Sequence, residues 1–466
     1  KAKKCGGSAW FAGFMGFGSQ HERDAGIPDR REDMVRGFVE RFPTLDPELI
    51  RNAVYASGEL VDWFVEKEDV GSYFRVMQMG PHRMYGLPMD QKLFYNLKNK
   101  DNAIGPGRGG SFLVRYMLQI GEKLGVEFLT EHEALTIDTD ETGAVCGITA
   151  RDPGGEVHIR CKAVIAATGS YTHNDSLLRA HIPWFFPGED NPNCEPVHRF
   201  AAPTDTGDIV PLGESCGAYI DHDAFCINLF GPVHHPFTFS LFNAQLAGGQ
   251  MTVNMDGRRF YNEGAMGAGA APSVFQPRRM YYSIYTEKGL EAAMENAIRS
   301  RRGIEGEWMK RWRTDIQEEL DSDNGVSLFI RDTIEELADA AGINKQNLLD
   351  EVAKYNRFCK NGVDEDFGKA ARYLTPIEEG PFYAIFGKMA TDGAFGGVLV
   401  NPDMNVYRAD KSGVIPGFYA VGDNASGVQA NAGVPGDHRL KAFNDFTWAA
   451  NGGYLAAENC AGYLSE

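Results

Sequence analysis

The segment AVIAATG (163–169) constrains the fold most. A run this apolar has no side left for water, so it belongs in a sheet covered on both faces, and such sheets are parallel. It stops at Thr168-Gly169. The carboxyl end of a parallel strand is where open α/β sheets meet their ligands. A second short apolar strand, in GFYAVGDNASG (417–427), ends in Gly422-Asp423. Asp423 there can hold a sugar-like hydroxyl chain, or it can simply close an Asx turn; the residues alone leave both open.

The stretch 125–169 alternates with a period of two. EFLT (127–130), ALTIDTD (134–140), AVCGITARD (144–152) and EVHIRCKAVIAAT (156–168) are predicted strands, parted by turn signals at ETG and DPGG. Helices are predicted over about 32–42 and 47–67. GPGRGGS (105–111) is a glycine-rich turn with Ser111 as the cap of a helix that runs through Leu113, Tyr116, Met117, Ile120 and Leu124 to Gly125. From about 225 the texture changes. GGQMTVNMDGRRFYNEG is a strand candidate, and GAMGAGAAP (264–272) is a loop. Thr333 and Glu336 form a capping box for a helix that stops at Gly342, and Asn344 caps the next, whose Leu348, Val352 and Tyr355 share a face. The last section returns to strand–turn–strand and closes with a helix over about 442–463.

Composition narrows the function. The balance of 46 basic against 64 acidic residues gives a net charge of −18. That disfavours a nucleic-acid partner and attachment to anionic lipid. No apolar run approaches the roughly 20 residues of a membrane span. The eight cysteines include no C-x-x-C pair and none at zinc-finger spacing from a histidine. No metal site is expected; reduced, mostly buried thiols and a cytoplasmic location are, although any export signal would precede Lys1. No haem or iron–sulfur motif is present, so the electron donor is unknown.

Taken in order, KCGGSAWFAG (4–13), GPGRGGSFLVRYMLQIGEKLGVEFL, AVIAATGSY, TDTGD (204–208), VNMDGRRFYNE (253–263), YNRFCKNGVDEDFG (355–368), GPFYA (380–384) and IPGFYAVGDNASG carry a resemblance over nearly the whole chain. They resemble the flavoprotein subunits of fumarate reductase and succinate dehydrogenase, in the wider class that holds urocanate reductases and 3-ketosteroid dehydrogenases. The resemblance implies an α/β fold: a Rossmann-like FAD-binding domain (1–224 and 393–466) with an inserted α+β substrate-capping domain (225–392). It implies non-covalent FAD. Gly6, Gly7, Ser8, Ala12 and Gly13 match the loop that approaches the pyrophosphate and flavin, and Ala134 the strand beside the adenine. Thr168 and Gly169 match the family's A-T-G turn, and Asp208 its T-G-D motif. Gly422 and Asp423 fall at the ribityl chain, and Leu440, Asn444 and Asp445 where the last helix points at the flavin carbonyls.

The family's opening strand, G-x-G-x-x-G turn and ribose-binding acid would lie before Lys1, so an amino-terminally truncated chain is expected. The family's arginine proton donor is replaced by Gly267 and its substrate-holding histidine by Gly393. Arg439 matches the arginine that clamps a substrate carboxylate or carbonyl, and His235 the H-P-T motif of the capping domain. The resemblance therefore implies hydride transfer between flavin and an activated C=C or CH–CH bond, with a small unsaturated carboxylate or enone other than fumarate as substrate. Plainer roles stand beside these. Arg439 can pair with Asp437 or Asp445, His234 can be the residue turned inward, and Tyr261, a candidate acid, can be packing. A relative that kept the fold as a binding or scaffold protein is the alternative. Trp184, Phe185, Phe186, Phe230, Phe237, Phe239 and Phe395 are expected to border the pocket.

Overall fold

A computed structural model describes residues 13–24, 26–41, 43–66, 75–79, 82–86, 109–188, 191–233, 239–246, 249–265, 269–300, 310–321, 325, 327–428 and 445–466. Strands β1 (Gly13–Met15), β2 (Arg75–Met79) and β3 (His82–Gly86) form a small antiparallel sheet in the order β1-β3-β2. Strands β4 (Glu133–Thr139), β5 (Val145–Asp152) and β6 (Gly155–Arg160) form an antiparallel meander. Its first turn is built on Asp140, whose carboxylate accepts the N–H groups of Thr142 and Ala144 while Gly143 takes φ 77°. These are the turns predicted at ETG and DPGG.

The chain then enters β7 (Val164–Ala166), so EVHIRCKAVIAAT is two strands in two sheets, broken at Cys161–Ala163. Strands β8 (His198–Arg199), β9 (Cys226–Val233), β10 (Met251–Asn254), β11 (Met280–Thr286), β12 (Leu328–Arg331) and β13 (Phe382–Phe395) form a six-stranded sheet. β13 is its spine: it pairs with β11, β12, β8 and β9 along its length. Beyond it, β14 (Val398–Leu399) pairs with β17 (Ala425–Ser426), and β15 (Asn405–Tyr407) pairs with β16 (Val414–Ala420). β16 lies parallel to β7. The six-stranded sheet is thus spliced in sequence between β7 and β16, which are neighbours in space.

Separate apolar cores follow this division. One joins Leu49, Ile50 and Val54 of the Pro47–Glu66 helix to Val398, Phe418 and Trp448. Another joins β10, β11 and β13 to the Ile334–Ala341 and Lys345–Asn361 helices. Those two helices form as their caps predict. Thr333 Oγ1 accepts from Glu336 N (3.2 Å), Asn344 Oδ1 from Asn347 N (3.1 Å), and Gly342 ends the first at φ 66°.

Three local expectations are corrected. EFLT is not a strand: Phe128 and Leu129 are 46% and 47% exposed, and among the described residues no strand lies beside them. Alternation makes a strand only where a neighbour supplies the ladder bonds. Ser111 is not a cap, because the helix already starts at Gly109. Of the described cysteines only Cys194 is buried.

The second core encloses an ionic cluster. Arg259 bonds Glu263 (2.8 and 2.7 Å) and Asp364 (3.1 and 2.9 Å), with all three side chains fully buried. Burial works to raise the Asp364 carboxyl, but the Arg259 bonds and charge, with the Lys369 and Phe367 N–H groups, outweigh it and hold the pKa at about 2. That lies below the ordinary 3.8, so the group's stabilisation is complete above the ordinary value and is lost as pH falls toward 2. Chemical denaturation between pH 5 and roughly pH 2 should show this loss, and Asp364→Asn should flatten that part of the profile.

Candidate functional site

The parallel pairing of β7 and β16 sets Val164, Ile165 and Ala166 beside Phe418, Tyr419 and Ala420. Both carboxyl ends therefore emerge side by side. Ala166 O accepts from Val421 N (3.0 Å) and from Asn424 Nδ2 (3.1 Å), which ties the two ends together. Each end turns through a glycine in the left-handed region, Gly169 at φ 86° and Gly422 at φ 74°, leaving bare backbone there. Asp423 sits half-buried on the Gly422–Asn424 turn, and its carbonyl accepts from Gly396 N (3.1 Å). Trp448, on the closing Asp445–Ser465 helix, donates Nε1–H to Gly422 O (3.0 Å).

The end of β13 reaches the same place. Ala394 N donates to Thr172 Oγ1 (2.8 Å) and Tyr171 N to Ala394 O (3.4 Å). The TDTGD loop packs on these residues: Ser170 Oγ bonds Asp205 Oδ2 (3.3 Å), and Gly207 N donates to Ser170 O (3.1 Å). Gly207 is at φ 74°, and a Cβ there would lie 2.7 Å from Leu177 Cδ1 and 2.9 Å from Tyr171 Cβ. Gly207→Ala should therefore destabilise the protein by about 1–3 kcal/mol, read as a lower urea midpoint at unchanged slope.

The structure brings Thr168, Gly169, Gly422 and Asp423 together. Asp208 is on the adjoining loop; it precedes the Ile209–Ser215 helix, makes no capping bond and accepts from Thr206 Oγ1. Gly13 is in β1, which packs against the helix that Asp445 opens. Ala134 lies elsewhere, exposed near the start of β4 at the edge of the meander. Gly393 sits in β13 opposite Asn228 of β9. Gly6, Gly7, Ser8, Ala12, His235, Gly267, Arg439, Leu440 and Asn444 lie outside the described residues.

Tyr261 turns its hydroxyl inward, to Thr252 Oγ1 at 3.4 Å, and its ring lies against Gly269. Burial, with the nearby Glu263 charge, pushes its phenol well above the ordinary value. Of the predicted pocket aromatics, Phe185 and Phe395 are core residues, and Phe186 is covered by the Arg179 guanidinium at 3.8 Å. The sequence reading missed Ser170, Thr172, Asp205, Asn424 and Trp448. Their signal was faint: Asp205 is the first acid of TDTGD, and Asn424 follows Gly422-Asp423.

This arrangement fits FAD. Bare backbone at two adjacent strand ends admits a flat ring and phosphates closely, and a half-buried carboxylate suits polyol hydroxyls. Asn424 also has a buried Oδ1 with no hydrogen-bond partner among the described residues, an acceptor open to a ligand.

Known proteins agree. Vinyl phenol reductase of Lactiplantibacillus plantarum is 27% identical over 344 residues, 69% of this chain and 66% of the relative. The 3-oxosteroid 1-dehydrogenase of Mycolicibacterium smegmatis is 27% identical over 368 residues, 71% of this chain and 59% of the relative. The chain spans about two thirds or less of the length of these curated relatives. Among solved structures, the open conformation of a flavocytochrome c3 fumarate reductase superposes with a TM-score of 0.69 at 20% identity, over 99% of this chain and 72% of that one, a likeness of fold. The FAD binding domain family matches residues 1–436. With α/β architecture, paired strand ends and a match over nearly its whole length, the chain belongs to the FAD binding domain family, and FAD is its cofactor.

Proposed function

We propose that the protein is an FAD-dependent oxidoreductase that moves hydride between flavin and an activated C=C or CH–CH bond beside a carboxylate or ketone, and works as a reductase of a substrate other than fumarate. The observation that carries this is the pair of parallel strand ends bearing Gly169 and Gly422-Asp423. Relatives named as a vinyl phenol reductase and a 3-oxosteroid dehydrogenase support a larger unsaturated substrate. In this reading, 1–224 and 393–466 bind the cofactor and 225–392 caps the substrate.

Bound FAD supplies the ring that gives or takes hydride. Arg439 holds the substrate's carboxylate or ketone oxygen and stabilises the charge that develops on it, which counts most in a site closed to water. His235, matched to the H-P-T motif of the capping segment, is assigned to the same substrate group. Tyr261 keeps its proton through the working pH range and donates it in a hydrogen bond to Thr252 of β10. Gly267 and Gly393 carry no acid and no imidazole, which speaks against fumarate. FAD is held non-covalently, so acid precipitation should release it into the supernatant. Asp423→Ala should weaken FAD binding about 10-fold to 100-fold in a fluorescence titration. We assign the protein to the cytoplasm on its scattered free thiols; among the described residues no helix is long and apolar enough to cross a membrane.

The same two glycines favour a second reading, a flavin-binding relative without catalysis. Turnover with a reduced viologen as donor against enoates, enones, vinyl arenes and fumarate separates them. Oxidation of the donor by one of the first three classes, with fumarate inert, supports the enzyme. A yellow protein inert toward all four supports the second reading.

A further inference from the structure

We propose that Cys146 and Cys161 form a reversible cross-strand disulfide that clasps the β5–β6 hairpin just before the chain enters β7. The register of β5 on β6 pairs Gly147 with Arg160, so one step outward sets Cys146 directly opposite Cys161. A bond from Cys161 N to Cys146 O (3.2 Å) fixes that step. Directly opposed residues of an antiparallel pair project to the same face. The directly opposed pair three steps along the ladder, Thr149 and His158, shows it, with Oγ1 and Nδ1 2.9 Å apart. Hydrogen-bonded cross-strand pairs hold their Cα atoms about 5.5 Å apart, inside the range of roughly 4.4–6.8 Å that a disulfide spans.

Access also suits the chemistry. Cys146 is exposed and Cys161 half-buried. Burial, together with the neighbouring Cys146, pushes the Cys161 thiol up, which leaves Cys146 as the first nucleophile. The oxidant is a small-molecule disulfide such as glutathione disulfide. The Cys146 thiolate attacks one of its sulfurs and releases one glutathione thiolate. Cys161 then loses its proton and attacks the Cys146 sulfur, releasing the second. Two protein thiols are oxidised, one external disulfide is reduced to two thiols, and the two protons go to the departing thiolates. Cross-strand disulfides with an exposed member belong to the labile class. The strand that follows, β7, delivers Thr168-Gly169 to the site, so the clasp fixes the chain at that strand's base.

The test is to equilibrate the native holoprotein in glutathione buffers of rising potential, alkylate the remaining thiols and map the peptides by mass spectrometry. The expected result is a peptide linked through Cys146 and Cys161, two hydrogens lighter than its reduced parts. Neither residue should be alkylated, dithiothreitol should reverse the change, and in Cys146→Ser the Cys161 thiol should remain open to alkylation. The oxidised wild type should also melt above the reduced form, a difference absent from Cys161→Ser. Alkylation of both thiols at every potential would overturn the proposal, as would a glutathione adduct on Cys146 that never closes onto Cys161.

Discussion

Arg439→Ala is expected to lower kcat about 10²–10³-fold while the protein stays yellow and its FAD affinity stays unchanged. The magnitude is that of removing one preorganised donor from developing negative charge in a dry site. A clamp that acts in the transition state lowers kcat and kcat/KM together, whereas one that merely binds substrate raises KM alone. Arg439→Lys should recover little, because an ammonium cannot reproduce the two-point grip of a guanidinium on a carboxylate. Steady-state kinetics on the best substrate of the alkene panel decides the matter. Unchanged turnover in Arg439→Ala would remove the residue from the reaction and leave it as one half of a surface ion pair.

Arg259→Ala is expected to destabilise the protein by about 3–5 kcal/mol, the cost of leaving buried carboxylates without their cation. Glu263 and Asp364 are both fully buried against Arg259, and Lys369 approaches Glu263 only at 3.6 Å. Lys369 itself is spent on Gly249 O, Gln250 O and the Tyr355 hydroxyl. Burial also pulls its pKa down, and those three bonds hold its ammonium in place and away from the position of the guanidinium. The loss is read as a lower denaturation midpoint. Because the cluster knits the β10 hairpin to the segment around Asp364, the destabilisation should be centred on the six-stranded sheet, seen as lost hydrogen-exchange protection there. A loss under 1 kcal/mol would mean that water or rearranged partners solvate the two carboxylates.

These predictions draw on parts of the molecule that were unequally legible in the chain. The strand ends at Thr168-Gly169 and Gly422-Asp423 were readable because an apolar run and the turn that stops it are both local. Thr333, Asn344 and Gly342 were readable for the same reason, each acting within one helical turn. EFLT was misread because a strand is made by its neighbour as much as by its own alternation. Trp448 and Asn424 could not be found from their surroundings: Trp448 reaches back 26 residues to the Gly422 carbonyl, and Asn424 reaches 258 residues to Ala166. The ionic cluster has the same character, since Arg259 and Asp364 are 105 positions apart. Register and long-range hydrogen bonds are set when sheets assemble, and no window of sequence contains both partners.

The most direct measurement is rapid mixing. The FAD-loaded protein is reduced without oxygen, mixed with a panel of enoates and enones, and followed at the flavin absorption band. Recovery of the oxidised spectrum at a rate that saturates with one of these alkenes, together with a product carrying the hydride beside its carboxylate or ketone, is what the account predicts. A protein that takes up no FAD, or a reduced flavin that persists in the presence of every alkene until oxygen is admitted, would contradict it.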